Sequence, residues 1–290
     1  MLGVFDIVRP KSVADASAIV AAGGGEAVFY AGGTELLILM KDRLLEPAVL
    51  VDLKAVPGLD GIGLDPGGRT LRIGALARHR QIERSPIVRH HVPTLAALEA
   101  RVANVRVRHA GTIGGNLCFA EPHSDPATLL LALEATFTLE SEAGARDVAA
   151  ADFFVGFLQT ARQPDELMTS TAFPLPDSGT TVAYERFKTH ERPSASVAVL
   201  LSVRDGTIAA ARIAVGSVGD RPVRMPAAEA ALRGTPPGPE SFAAAAEIVR
   251  DGVEPTEDRF ESTDYKRHLA GTLTRRALER AMPDGKSHGR

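Results

Sequence analysis

Two glycine bends constrain this chain more than any other feature: "AGGTE" at Ala31–Glu35 and "GTIGGN" at Gly111–Asn116, about eighty positions apart. Glycine lets backbone N–H groups approach an oxygen-rich ligand with no side chain between, and bends at helix starts aim those donors at negative charge. Thr34, Thr112 and Asn116 add side-chain hydrogen-bonding groups. Brought together by a fold, two such bends suit one diphosphate, which makes a dinucleotide the expected ligand class. The second bend sits in "HAGTIGGNLCFAEPHSD", His109–Asp125, whose acid, histidine, serine and acid give a core little apolar surface to use.

The rest of the chain can supply cores around such a site. Its 290 residues exceed one average domain, so two or three compact units are expected. With 44% apolar and 24% charged residues it has an ordinary globular composition. The formal charge of −3 argues against nucleic acid or an anionic membrane as the main partner, since both call for a basic excess. Cys118 is the lone cysteine, too few for an internal disulfide, a zinc site or an iron-sulfur cluster. Electrons passing through this chain would therefore travel on an organic cofactor. "MLGVFDIVRP" lacks a basic leader and a long apolar stretch, so no transmembrane segment and a cytoplasmic location are expected.

Local patterns divide the chain further. Ser12 is placed to cap a helix with Val13, Ala16, Ile19 and Val20 at helical spacing, and Gly23–Gly25 stops it. Strands are expected at Ala27–Tyr30 and Ala48–Leu53, with a helix from near Thr34 between them. Ile62–Leu64 and Arg69–Ile73 read as strands joined by "DPGG". Leu95, Leu98, Val102 and Val105 predict a helix over Pro93–Val105 leading directly to the second bend. Asp125 is expected to cap a helix with Pro126 at its first position, and "TFTLES" alternates like a half-buried strand. "FPLPDSGTT", Phe173–Thr181, reads as a linker. Beyond it come a hairpin at Asp205–Gly206, two or three alanine-rich helices, and a frayed tail at Pro283–Arg290.

The familiar nucleotide fingerprints are absent: no G-x-G-x-x-G follows the first strand, and there is no G-x-x-x-x-G-K-[ST] loop. "VGSVG" at Val215 lacks the first glycine of a nucleophile elbow, and "HERPS" at His190 lacks the second histidine of a zinc helix. Taken singly, Leu167 reads as core, Lys188 as a strand-face charge and Cys118 as a space filler. His109, His123 and His190 read as satisfied polar or surface residues, and His90 with His91 is too short a cluster for a metal site. No catalytic or metal-binding residue is assigned.

Four motifs occur in a fixed order: "FYAGGTELL", "AGTIGGNLCFAEPHSDPATLLLAL", "DFFVGFLQTARQPDELM" and "YERFKTHERPS". In this order they resemble the FAD-binding subunit of the molybdenum hydroxylases, the family of xanthine oxidase and aerobic carbon monoxide dehydrogenase. The resemblance runs to "STDYKRHLAGTLTRRAL" near the end. It implies an α+β chain: a two-subdomain FAD-binding fold of the vanillyl-alcohol-oxidase (PCMH) type over 1–176, with subdomains of about 1–57 and 58–176. A C-terminal domain of sheet and helices over 177–285 and a tail over 286–290 would follow.

By matching position, the resemblance implies a first FAD loop of Phe29, Tyr30, Ala31, Gly32, Gly33, Thr34, Glu35 and Leu36. A second loop would comprise Thr112, Ile113, Gly114, Gly115 and Asn116, with further FAD contacts at Asp125, Leu167 and Lys188. Both loops are expected to offer N–H donors to the diphosphate. Asp125 is expected to accept from ribose or ribityl hydroxyls, to serve as a helix cap, or both. Leu167 would pack on a flavin face, and Lys188 would bring positive charge near the flavin or phosphates.

The family also implies non-covalent FAD, a small partner with two [2Fe-2S] clusters, a large molybdopterin partner, and a dimer of heterotrimers. Electrons would pass from the clusters through FAD to NAD, quinone or oxygen. A free-standing FAD oxidoreductase, a scaffold subunit that has lost FAD and an adenine-nucleotide module are the alternative readings. Departures from the family pattern are "RVRH" at Arg106–His109 in place of Gln-Ile-Arg-Asn, and "ERPSAS" after Lys188 where an aspartate is common. The four-iron cluster loop of a related reductase group cannot be built with Cys118 alone.

Overall fold

The computed structural model describes residues 3–189 and 192–282. His190 and the tail at Pro283–Arg290 lie outside the described residues.

The chain begins with a small parallel unit. Ser12 accepts from the Asp15 amide and caps a helix over Val13–Ala22, and positive φ at Gly24 and Gly25 turns the chain back after it. The strands Asp6–Val8, Val49–Asp52 and Ala27–Tyr30 lie side by side in that order, all parallel. Parallel neighbours need crossover connections, which the helix Val13–Ala22 and the short helix Leu36–Lys41 provide. Ala16, Val20, Ala27, Val51 and Leu53 form this unit's core, and Leu167 from a distant strand joins it.

Next comes a five-stranded antiparallel sheet in the order Ile62–Leu64, Thr70–Gly74, Leu167–Pro174, Thr136–Ser141, Gly144–Ala149. Its first turn is held by the Asp65 carboxylate, which accepts from the amides of Arg69 and Thr70. Thr136–Ser141 alternates in burial as its sequence does, with Phe137 and Leu139 fully inside. A layer of short helices covers the sheet, and Ile82, Leu95, Ile113, Leu117 and Leu129 fill the space with Phe137, Phe153 and Phe173.

The helix expected over Pro93–Val105 ends at Glu99, and a separate one runs over Val105–Ala110. Asn104 makes the break: its side chain accepts from the amides of Arg106 and Val107 and caps the new helix. The apolar spacing continues across that break although Val102 is buried and Val105 is 52% exposed.

The third part is an antiparallel sheet in the order Thr180–Phe187, Ala195–Arg204, Thr207–Gly216, Val223–Arg224. Asp205 and Gly206 both adopt positive φ, as a two-residue hairpin requires. Ala195–Arg204 is apolar almost throughout because both its faces are covered. Val197, Val199 and Leu201 face the helices Pro226–Leu232, Pro239–Gly252 and Thr263–Arg280. Ala198 and Leu200 join the central core, which includes the helix Asp125–Ala132. That second face seats the C-terminal sheet against the helix Asp125–Ala132.

A small hairpin, Phe154–Gly156 paired with Gln159–Thr160, leaves Val155, Phe157 and Leu158 exposed at its tip. Among the described residues no helix is long and apolar enough to cross a membrane, and no group of three or more side chains could hold a metal.

Candidate functional site

The two bends touch. A Cβ on Gly32 would lie 2.8 Å from the Cα of Gly111 and 2.9 Å from the carbonyl carbon of Ala110, closer still to that carbonyl's oxygen. Only glycine permits this approach. Gly33 has φ +70°, and a Cβ there would strike the ring of Tyr30. Gly114 is just as confined: its Cβ would lie 2.8 Å from the carbonyl oxygen of Ala75. The first bend enters the helix Leu36–Lys41, and the second enters the helix Ile113–Phe119 with Thr112 as its cap.

Backbone hydrogen bonds divide the bends sharply. In the second, the amides of Ile113 and Gly114 donate to the carbonyls of Ala77 and Ala75. Gly115 donates to the Thr112 hydroxyl and Asn116 to the Thr112 carbonyl. In the first bend, the amides from Gly32 to Leu36 find no hydrogen-bond acceptor among the described residues. The expectation that both bends offer N–H donors is therefore narrowed: the first offers a run of them, whereas in the second Ile113 and Gly114 are tied to the residues just after the strand Thr70–Gly74, Gly115 and Asn116 are tied to Thr112, and only the Thr112 amide finds no acceptor among the described residues. An unmet set of backbone donors calls for a ligand or water.

Both bends line one cavity of about 870 Å³, well inside the roughly 300–1,000 Å³ typical of cofactor sites. Every residue expected to contact FAD lies on its wall except Tyr30 and Ile113. The Tyr30 ring packs beneath the Lys54 ammonium, 3.7 Å from its centroid, and Ile113 is core, 1% exposed. Leu167, also largely buried, presents an apolar face to the cavity.

Asp125 does not cap its helix. Ser124 does, accepting from the Ala127 amide, and Asp125 is the first helical residue. Its carboxylate accepts from the Tyr184 hydroxyl and from the Arg186 guanidinium, both on the first strand of the C-terminal sheet. Burial pushes the Asp125 carboxyl up, against the opposing pull of Arg186 and Tyr184. Burial, then the neighbouring carboxylate, pushes the Tyr184 phenol well above its ordinary value. Lys188 follows directly after the end of that strand, is exposed, and makes no hydrogen bond or ion pair with a described residue.

Several wall groups escape sequence reasoning. Glu121 accepts from His123 at 2.8 Å and Arg192 at 2.7 Å. Burial alone would raise its pKa, yet these partners hold it below the ordinary value. Nearby Glu35 is raised, chiefly by burial, with Arg192 opposing and Glu121 adding to the shift. Arg162 donates to the carbonyls of Gln163, Pro164 and Glu166 and stiffens the loop that leads into Leu167. His79 also reaches the cavity wall. Burial pushes the Cys118 thiol up to about 11, which fits an inert wall residue.

Residues 3–176 match the family described as the FAD binding domain in molybdopterin dehydrogenase, and residues 183–281 match the CO dehydrogenase flavoprotein C-terminal domain. The chain belongs to the FAD-binding medium-subunit family of the molybdenum hydroxylases. It is 36% identical over 279 residues to the carbon monoxide dehydrogenase medium chain of Hydrogenophaga pseudoflava, covering 96% of each chain. It is 32% identical to caffeine dehydrogenase subunit beta of Pseudomonas sp. (strain CBB1), covering 96% of this chain and 94% of that one.

Among solved structures, a carbon monoxide dehydrogenase from Hydrogenophaga pseudoflava that lacks the Mo-pyranopterin moiety superposes with a TM-score of 0.93 at 37% identity, covering 97% of this chain and 98% of that chain. Quinoline 2-oxidoreductase from Pseudomonas putida 86 superposes with a TM-score of 0.91 at 31% identity, over the same shares. The family makes the chain an oxidoreductase subunit with FAD as its cofactor. The residues present fit that cofactor: bare backbone where the bends meet, unmet amides for a diphosphate, and an apolar wall at Leu167.

Proposed function

We propose that this chain is the electron-transfer subunit of a molybdenum hydroxylase assembly. A small partner would carry two [2Fe-2S] clusters, and a large partner would carry molybdopterin and oxidise the organic substrate. This chain would pass the electrons on to NAD, a quinone or oxygen, within a dimer of heterotrimers. The observation that carries the reading is the meeting of two distant glycine bends on one cavity, with unmet amides along one side. Relatives named medium chain, medium subunit and subunit beta support a chain that works with others. The exposed apolar tip at Val155, Phe157 and Leu158 agrees with that.

Bound in the cavity, FAD would supply one- and two-electron chemistry that no side chain of this chain offers. The amides from Gly32 to Leu36 would hold its diphosphate, closed from the other side by the Thr112 hydroxyl and the Asn116 side chain. Leu167 would cover an apolar face and keep water from it. Lys188 would set a positive charge beside the cofactor, and Asp125 would anchor the strand from which Lys188 extends. Attachment would be non-covalent, in keeping with a Cys118 thiol that burial suppresses.

Isolation of the chain from its native cell tests this reading. The expected result is FAD released on denaturation and two accompanying polypeptides bearing iron and molybdenum. The flavin absorption should bleach when the assembly meets its substrate. A chain that oxidises an organic substrate unaided would overturn the assignment, as would ADP or ATP released in place of FAD.

A further inference from the structure

We propose that His79, backed by Glu99, contacts the diphosphate of the cofactor, supplying from beneath the second bend a donor that the amides of Ile113 to Asn116 withhold. The inference rests on FAD lying in the cavity with its diphosphate between the bends.

His79 opens the helix His79–Arg84 and is 2% exposed, while Glu99 closes the helix Pro93–Glu99 and is 0% exposed. The His79 Nδ1 and the Glu99 Oε2 are 2.6 Å apart, and the Glu99 Oε1 has no partner among the described residues. A carboxylate sealed from water needs a cation or a proton close by. Among the described residues His79 is the only group hydrogen-bonded to it. With Nδ1 turned to Glu99, Nε2 is the nitrogen left over, and it makes no hydrogen bond with a described residue.

The place of Nε2 gives it a use. A Cβ built on Gly111 would lie 3.1 Å from the His79 Cδ2 and 3.4 Å from its Nε2. The Cα of Gly111 lies 2.8 Å from where a Cβ on Gly32 would be. The imidazole edge is therefore one glycine away from the bend with the unmet amides, and His79 is part of the cavity wall. Its own amide donates to the Gly111 carbonyl at 3.1 Å, so ring and bend move together.

Donating Nε2–H into the cavity, the His79 ring matches a phosphate oxygen while its Nδ1 stays hydrogen-bonded to Glu99. Glu99 acts through His79 as a positioning residue, in the way carboxylates orient imidazoles elsewhere. No such donor remains on the second bend's backbone between Ile113 and Asn116.

The test uses the full chain in the assembly in which it is isolated, stripped of flavin and titrated with FAD. Phosphorus resonances of the bound cofactor are read against the stripped sample. His79→Gln should weaken FAD binding about 10- to 100-fold and shift one of the two cofactor phosphorus resonances. Glu99→Gln, which keeps the ring but loosens its orientation, should cause a smaller loss and move the same resonance. Unchanged affinity in His79→Gln would overturn the inference. So would weaker binding with both resonances at their wild-type positions once saturated, because that pattern belongs to a purely structural role. Should His79→Gln fail to fold, Glu99→Gln decides on the same two readouts. Gly32→Ala separates the underlying reading: wild-type affinity there would sink the placement of FAD itself, whereas normal behaviour of the His79 and Glu99 variants alone would sink only this inference.

Discussion

Gly32→Ala adds a single methyl group where the two bends meet. Non-bonded carbons rest about 3.5–4.0 Å apart, and the new Cβ would begin 2.8 Å from the Cα of Gly111. The bends must part by about 1 Å. Both neighbours are backbone, so no flexible side chain can swing away. Overpacking of this kind costs about 1–3 kcal/mol. Parting the bends relieves that strain in the empty protein, and closing them on a diphosphate restores it, so the cost falls on binding. At about 1.4 kcal/mol per tenfold, FAD affinity should drop about 5- to 150-fold.

A fluorescence titration of the flavin-free protein measures the drop. Gly61→Ala is the matched control, since a Cβ there meets nothing within 4 Å. Gly216→Ala is a control for general damage, because its Cβ would collide with Thr128 in the packing between the helix Asp125–Ala132 and the C-terminal sheet. Affinity for Gly32→Ala within twofold of wild type would refute the idea that this contact shapes the site.

Lys188→Met should lower the flavin reduction potential, because an unpaired positive charge favours the anionic reduced form; an unchanged potential in a redox titration counts against its placement beside the flavin. Glu166 is held below its ordinary value of 4.5, first by the hydrogen bond from Arg146, with burial opposing. Its stabilisation is therefore present above pH 4.5 and lost as pH falls from there through the folded value. Glu166→Gln lacks that contribution, so stability should fall less steeply with acid over that window, and identical acid unfolding curves would contradict the sign. With a thiol pKa of about 11, Cys118 has a thiolate fraction of about one in a thousand at pH 8. A disulfide reagent should modify it about 200-fold more slowly than a free cysteine until the protein unfolds; stoichiometric labelling at the free rate would show an open thiol.

What the sequence made legible was local. Ser12 and the glycines at 23–25 bound the first helix, Asp205–Gly206 turns the hairpin, and alternation in Thr136–Ser141 marks its buried face. These signals act over a few residues, where backbone chemistry leaves little choice. The bends were legible as a pair, and their contact demands a glycine at Gly32, where a Cβ would run into the backbone of Ala110 and Gly111.

Their division of labour was not legible. It depends on the carbonyls of Ala75 and Ala77, almost forty positions before the second bend, which take the amides of Gly114 and Ile113. The cap before Pro126 was ambiguous for a related reason. Ser124 and Asp125 are both good cap residues, and the choice falls to a Tyr184–Arg186 pair about sixty residues away that claims the aspartate. His79 carried no signal because one histidine among arginines looks like a solvated helix face until Glu99 is placed opposite it.

The claim of Tyr184 and Arg186 on Asp125 explains how the C-terminal sheet takes part in the site. Side chains alternate along an extended strand, so positions 184 and 186 point the same way. Fixing both on Asp125 holds the end of the strand at the cavity, whose wall includes Lys188 just beyond it. Asp125→Asn leaves the Arg186 guanidinium, whose side chain is 10% exposed, without its counter-charge, at a cost of about 3–5 kcal/mol when a buried pair is broken from one side. Thermal unfolding should show that loss, and FAD affinity should fall with it. Adding Arg186→Met removes the stranded charge and should recover most of the stability, since an apolar replacement of a buried pair is often neutral. It would not restore the anchor, so FAD should stay weakly bound. Full recovery of FAD affinity in the double variant would mean that Asp125 serves packing alone, and wild-type stability in Asp125→Asn would mean that the pair carries no charge worth keeping.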